Sequence, residues 1–454
     1  STSKDFSRSP RIARGWIFDA YPSGPGKMTV WIIAENGARL KLADEYVYRM
    51  YISGEAKDLE GLAGGIGRKG VEGLTYLEKY VDFMHAQKRR VLELEVKDYR
   101  LIPFLASNIL RTGSYERLQA YNVDIPVEQA YLYDRDLYPL AHVLAYRSSS
   151  HSCSCSGSEP CSNSGPCLSY EVFDSVEECE YNVPPLRSLW LNVETKKEGA
   201  MPCFSDKIDR ISVESDGIVT TLEGGSEEDK ISHLVKLIWE EDPDIIFTRG
   251  GDSFALPYLA HRAFVNGISG KLLLGREEIP LMHGGGRGKS FFSYGRVYYN
   301  APARRLYGRV HIDVGNSFIC QEAGLEGLIE ISRTCRVPLQ RAARASIGRI
   351  MSSMQIYVAW KEGILIPWKK CEPESFKTGW DLLVADRGGL VYEPRVGLHT
   401  DVVEVDFVSM FPALMLRHNI SAETVLCGCC PDSRTRVPEL GYNICEKRKG
   451  IVPK

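Results

Sequence analysis

Residues 402–419 read VVEVDFVSMFPALMLRHN: an apolar run interrupted by Asp406, then a helical pattern beginning near Pro412. Valine and phenylalanine favour strands, and proline is tolerated in the first turn of a helix. The stretch therefore predicts a buried strand, a turn and a helix, with a carboxylate at the strand end. A carboxylate there is costly to bury unless it is paired or binds a cation. Taken alone, Asp406 suits either a salt-bridged or helix-capping aspartate or a metal ligand.

Outward from this stretch, RGGLVYEPRVGLH at 387–399 supplies a preceding strand and turn, and LQRAARASIGRIMSSMQIYVAWKEGILIP from Leu339 predicts one long helix ending near Gly363 and Pro367. Further upstream, LRSLWLNVE, IDRISVES, GIVTTLEG and DIIFTR read as strands. EEDKISHLVKLIWEEDPD and FALPYLAHRAFVNG read as helices, giving the order of an α/β domain with a mixed sheet. From Gly15, alternating apolar runs with Gly and Pro breaks predict an antiparallel meander, Gly73 to Gln87 reads helical, and VLELEV reads as a strand. Between Arg147 and Cys167 the text is dominated by Ser, Gly and Cys, as in a linker or insertion.

The fold class expected is mixed α/β and α+β, multidomain. Its parts are a tail at 1–14, a first domain at 15–146, an insertion at 147–182, a middle domain at 183–338, a helical connection at 339–380 and a final part at 381–454. A length of 454 residues agrees with more than one core. With 44% hydrophobic and 25% charged residues, the composition is that of a soluble globular protein. No apolar run is long enough to span a bilayer, and STSKDFSRSPRIAR lacks the apolar centre of a signal peptide, so a cytoplasmic protein without a membrane partner is expected. The initial Ser points to processing or a tag remnant. A net charge of −3 leaves any nucleic-acid site to a local patch.

The run D-F-x-S-hydrophobic-aromatic-P, here Asp406, Phe407, Val408, Ser409, Met410, Phe411 and Pro412, resembles motif A of family B DNA polymerases. RGGLVYEPRVGLH resembles that family's approach to the palm strand. ERLQAYNVDIPVEQAYLYDRDLYPLAHV, around Tyr121, Asp124, Ile125, Pro126 and Tyr138, resembles the end of the N-terminal domain of archaeal members. The resemblance implies an N-terminal domain, an RNase H-like exonuclease domain and a partial palm. It implies that Asp406, helped by the Phe407 carbonyl, holds Mg²⁺ in a two-metal site. It also places Phe407, Ser409, Met410 and Phe411 at the nucleotide, with the Phe411 ring excluding a ribose 2′-hydroxyl. The partners implied are primer–template DNA and dNTP.

The same resemblance exposes departures. The first exonuclease motif, D-x-E, reads Asn192 and Glu194; the second keeps Asp252 but has Ala255 at the catalytic aspartate; and no Asp lies between Asp313 and Asp381 to serve the third. A neutral amide is a poor Mg²⁺ ligand, so proofreading is expected to be lost, as in the divergent archaeal branch with degenerate exonuclease motifs. The Y-x-G-G junction reads Asp386, Arg387, Gly388 and Gly389, with Arg387 and the two glycines expected at DNA. After Asp406 only Glu423, Asp432, Glu439 and Glu446 are acidic, and none sits in a D-T-D hairpin. By itself the chain is expected not to polymerise. A C-terminal polymerase portion or a second subunit would supply fingers, second carboxylate and thumb. The alternative is a non-catalytic, DNA-binding or regulatory homologue; an active nuclease is a third reading, resting on Glu194.

Thirteen cysteines fall partly into two clusters, Cys153, Cys155, Cys161, Cys167 and Cys427, Cys429, Cys430, Cys445. Zinc, a disulfide or free thiols are open at each, with a structural role expected for the second. Arg341, Arg344 and Arg349, with Arg333 and Arg336 before them, form either a solvated face or a contact to DNA phosphate.

Overall fold

The computed structural model describes residues 11–65, 70–84, 87–112, 117–148, 167–196, 201–283, 288–293, 296–369, 376–385 and 392–454. These fall into two units, each discontinuous in sequence where composition drew consecutive blocks. One draws on residues up to Tyr48, Val96–Leu101 and Ile125–Tyr357, the other on Arg49–Glu95, Ile102–Asp124 and Val358–Lys454. Among the described residues no helix is long and apolar enough to cross a membrane.

In the first unit, Lys27–Ala34 is buried along nearly its whole length and pairs antiparallel with Arg11–Gly24 and Arg39–Glu45, the expected meander. His142–Ser148 and Cys167–Val172 complete a five-stranded sheet. Residues 167–172, assigned by composition to the insertion, thus form an edge strand. Cys153, Cys155 and Cys161 lie outside the described residues.

A second five-stranded sheet of this unit is mixed. Ser188–Thr195 pairs antiparallel with Ile208–Ser215, which pairs with Ile218–Leu222; on its other side it is parallel to Ile245–Thr248, which is parallel to Val310–Asp313. The apolar stripes of Glu227–Glu241 and Leu256–Val265 bury Ile231, Leu234, Ile238, Leu256 and Leu259 against Leu189, Leu191 and Val213. Ser226 and Asp229 close a capping box at the start of the first of these helices. On the opposite face, Phe247 and Ile312 pack with Leu328 of Phe318–Cys335 and with Leu339. Parallel pairing sets Thr248 opposite Asp313, so the loops leaving both strands meet at one edge.

The second unit holds a sheet in the order Gly73–Lys79, Arg89–Val96, Tyr48–Gly54, Leu118–Tyr121. Gly73–Lys79 was expected to be helical. It is a strand because every residue from Gly73 to Lys79 is paired with Arg89–Glu95, and that partner outweighs side-chain spacing.

Two other expectations fail for physical reasons. The predicted single helix from Leu339 is two, Leu339–Ala342 and Ile347–Lys361. Ser346 interrupts it, accepting from the Arg349 N–H at 3.3 Å as an N-cap. Residues 402–407, expected as a buried strand, pair with nothing among the described residues and lie open, Val405 at 86% and Phe407 at 78% exposure. A strand is held by its neighbours, and none of the described residues flanks it.

Candidate functional site

Asp406 is exposed, and its Oδ1 accepts the Phe407 N–H at 2.8 Å. Ser409 then takes a left-handed conformation, φ 50° and ψ 44°, which turns the chain into the helix Met410–Arg417 with Pro412 in its first turn. The helix has no buried residue, and Phe411 stands 68% exposed. Its other end is fixed. Asn419 is left-handed at φ 55°, and the Ile420 N–H returns to the Met415 carbonyl at 2.9 Å, closing the helix as a Schellman motif. The Asn419 Nδ2 donates to the carbonyls of Cys445 and Arg448, each at 2.9 Å, while its Oδ1 accepts from Gly450 at 2.8 Å.

Among the described residues, the one gathering of three or more metal-ligating side chains is Cys427, Cys429, Cys430 and Cys445. Among the described residues no second carboxylate joins Asp406. The described residues alone therefore do not build a Mg²⁺ site, and no chemical step follows from Asp406 on its own.

The other candidate is the edge where Thr248 and Asp313 meet. Gly250, at φ 78°, and Gly251 make the turn. A Cβ on Gly251 would fall 2.0 Å from Thr248 Oγ1 and 2.7 Å from His311 Nε2, so only glycine fits. Asp313 accepts the N–H groups of Gly250 and Asp252, both at 2.8 Å, and of Gly315 at 3.1 Å.

Asp252, fully buried, receives Arg344 in a bidentate grip, Nε to Oδ2 at 2.6 Å and Nη2 to Oδ1 at 2.9 Å. The Arg304 N–H and Asn316 Nδ2 add bonds at 2.7 and 2.9 Å. Burial pushes the Asp252 carboxyl upward, but the bond and charge of Arg344, with His311 and Asn316, outweigh it and hold the group below the ordinary range. The remaining N–H groups of Arg344 reach the carbonyls of His311 and Gln340 at 3.0 and 2.9 Å. His311, pulled down to about 4 by burial and then by the Arg344 charge, is neutral at pH 7. Its Nδ1 stands 2.8 Å from the Arg304 carbonyl and 2.9 Å from Arg344 Nη2, and its Nε2 stands 2.9 Å from Thr248 Oγ1.

Ala255 belongs to the apolar core beside Leu189 and Leu191. Asn192 Nδ2 donates to Glu194 Oε1 at 3.3 Å, and Glu194 also pairs with Arg210 at 2.8 Å.

A family model described as DNA polymerase family B matches residues 348–448, the range containing Asp406 and the helix after it. Over 128 residues the chain is 39% identical to DNA polymerase 2 of Saccharolobus solfataricus, a stretch covering 28% of this chain and 20% of that protein. Residues 348–448 of the chain are similar to DNA polymerase family B. A DNA polymerase of Archaeoglobus fulgidus, another archaeal relative, is 25% identical over an alignment covering 96% of this chain and 57% of its own length. In fold, the chain is similar to the family B DNA polymerase from the hyperthermophilic archaeon Pyrobaculum calidifontis, with a TM-score of 0.70 at 22% identity, covering 97% of this chain and 62% of that one. The chain thus spans less than two thirds of the length of each of these relatives.

Among the site residues expected of a family B chain, Asp406, Phe407, Ser409, Met410 and Phe411 lie on one continuous, exposed segment. Arg387, Gly388 and Gly389 lie outside the described residues. Arg341 and Arg344, expected at DNA phosphate, are turned inward: Arg341 bonds buried Glu128 at 3.0 Å, and Arg344 holds Asp252. Arg333 and Arg336 are buried too, against Tyr181 and Tyr357, which leaves Arg349 exposed. Sequence reading missed His311, Asn316 and the role of Arg344. One signal was available: Asp252 persists where its neighbouring motif position is Ala255, and a buried aspartate needs a cation.

Proposed function

We propose that this chain is part of a DNA-directed DNA polymerase that extends primer 3′ ends on a DNA template. What carries the reading is the family match over residues 348–448, which contains Asp406, Phe407, Ser409 and Phe411 in the order of motif A. Asp406 is one carboxylate of the nucleotidyl-transfer site, and its backbone neighbour Phe407 lies beside it. Mg²⁺ is the cofactor of the assembled site, not of these residues alone. Fingers, second carboxylate and thumb come from a further portion of the polymerase or a second subunit, with primer–template DNA and dNTP as partners. An intracellular, nucleoid-associated location goes with this role.

The middle domain has no nucleolytic role in this reading. Asp252 is taken by Arg344 and a methyl group stands at 255, so the fold serves as a scaffold.

Extension of a 5′-labelled primer on template DNA with dNTPs and Mg²⁺ tests the proposal. The chain alone should not extend. Joined to the portion carrying the second carboxylate it should, and Asp406→Ala in that assembly should abolish extension. Equal extension with alanine at 406 would overturn it, and salt-sensitive DNA binding with no incorporation in any pairing would favour a non-catalytic homologue.

A further inference from the structure

Residues 418–454 follow the motif helix as a lobe of turns joined by two isolated antiparallel bridges, Val425 to Ile444 and Arg436 to Asn443. Its buried apolar side chains are Cys427, Cys430, Ile444, Cys445 and Pro453, and the packed cluster among them is Cys427, Cys430 and Cys445. Ser421, Glu423, Thr424, Ser433 and Asn443 are buried with them. A segment below ~40 residues with so little apolar material does not hold its shape by burial, and lobes of this size are usually stapled by disulfides or metal.

The sulfur atoms have the geometry of the second staple. All four lie within 4.8 Å of one another, with Cys429 to Cys445 at 3.5 Å, Cys429 to Cys430 at 3.7 Å and Cys430 to Cys445 at 3.9 Å. Four thiolates about 2.3 Å from a central Zn²⁺ in a tetrahedron stand about 3.8 Å apart. A disulfide would join two sulfurs at about 2.05 Å and leave the other pair unused.

The backbone delivers the ligands from two arms. Cys427, Cys429 and Cys430 come from the turn after Leu426, which is left-handed at φ 56°. Cys445 comes from the returning arm, and the arms are tied by Leu426 N–H to Asn443 O and Cys445 N–H to Thr424 O, both at 2.8 Å. Donors surround the sulfurs as they do at thiolate metal centres. The Lys447 ammonium bonds the Cys429 carbonyl at 3.0 Å, and Asn443 Nδ2 approaches Cys427 Sγ at 3.6 Å while holding the Cys427 and Cys430 carbonyls at 3.0 and 2.8 Å. Such outer partners orient ligands and offset the negative charge of the centre.

We infer that Cys427, Cys429, Cys430 and Cys445 form a closed tetrathiolate site for one structural Zn²⁺, which fixes the lobe behind the motif helix. The site is independent of the polymerase reading, since the measurement uses neither DNA nor nucleotide. Chain purified under reducing conditions should carry one equivalent of zinc by elemental analysis. The metal-free reduced chain should take up one Co²⁺, with visible bands of a tetrahedral ion and thiolate charge-transfer absorption in the near ultraviolet.

Cys429→Ser, at the exposed ligand, should cut that charge-transfer absorption by about a quarter, four sulfur ligands becoming three. Cys203→Ser, an exposed thiol outside the cluster, should change nothing. Absence of Co²⁺ uptake by the reduced chain overturns the inference. So does a zinc-free protein with two fewer titratable thiols than its reduced form, the signature of a disulfide. Unchanged charge-transfer absorption in Cys429→Ser overturns it as well.

Discussion

Replacing Arg344 by alanine should destabilise the edge around Asp252 more than any surface arginine would destabilise its own surroundings. The guanidinium gives both Asp252 oxygens a partner, at 2.6 and 2.9 Å, and the carboxylate side chain has no exposure to water. Removing one member of a buried pair costs about 3–5 kcal/mol, because the remaining charge is stranded. The Arg304 N–H and Asn316 Nδ2 still solvate it, which places the expected cost near the middle of that range, about 4 kcal/mol.

At about 1.4 kcal/mol per decade, amides of Ile245–Thr248 and Val310–Asp313 should exchange with deuterium roughly a thousandfold faster at neutral pH. The double variant Asp252→Asn with Arg344→Met should recover most of this protection, since no ion is then stranded. Exchange within about fivefold of the parent in Arg344→Ala, a difference near 1 kcal/mol, would refute the reasoning. A double variant as damaged as the single one would refute it equally.

Asp19 supplies a pH test of opposite sign from an ordinary surface aspartate. Burial, only partly offset by the Ala20 N–H and Arg305, raises its carboxyl from 3.8 to about 7, and its Oδ2 has no partner. The folded chain therefore holds a proton that the unfolded chain releases near pH 3.8. This contribution to stability is full below pH 3.8 and falls as pH rises through about 7. Asp19→Asn should raise the unfolding free energy at pH 8 by up to roughly 4 kcal/mol and change it little near pH 4, as read from denaturant titrations; equal effects at both would count against the assignment. Restoring carboxylates by Asn192→Asp with Ala255→Asp should yield no shortening of a 5′-labelled single strand with Mg²⁺, because Arg344 still occupies Asp252. Mg²⁺-dependent degradation by that variant would show the pocket to be open.

Strand and helix order through 188–265 was legible because each element buries one face against a neighbour close in sequence, so side-chain period and structure agree. Legibility failed where a distant partner decided the outcome. Gly73–Lys79 became a strand by pairing with Arg89–Val96. The helix break after Ala342 carried a visible cap in Ser346, but what lies in the break is Arg344, directed at an aspartate 92 positions away. The arginines of this stretch look alike in sequence. Burial separates Arg344 from exposed Arg349, and burial is a property of the fold. Motif A was readable as a resemblance, while the exposure of Val402 to Val408 was not, since apolar sequence signals the need for a cover without supplying one.

The helix after Asp406 is a cantilever. Asn419 clamps its far end, none of its residues is buried, and the Asp406 carboxylate hangs beyond the free end. Eight residues span about 12 Å, so a 10° tilt at the clamp moves that end by about 2 Å. Two-metal chemistry tolerates misplacement of well under about 1 Å. For the proposed two-metal role reach alone would not set the carboxylate, and a cover on the bare apolar side of the beam would also serve as its second support.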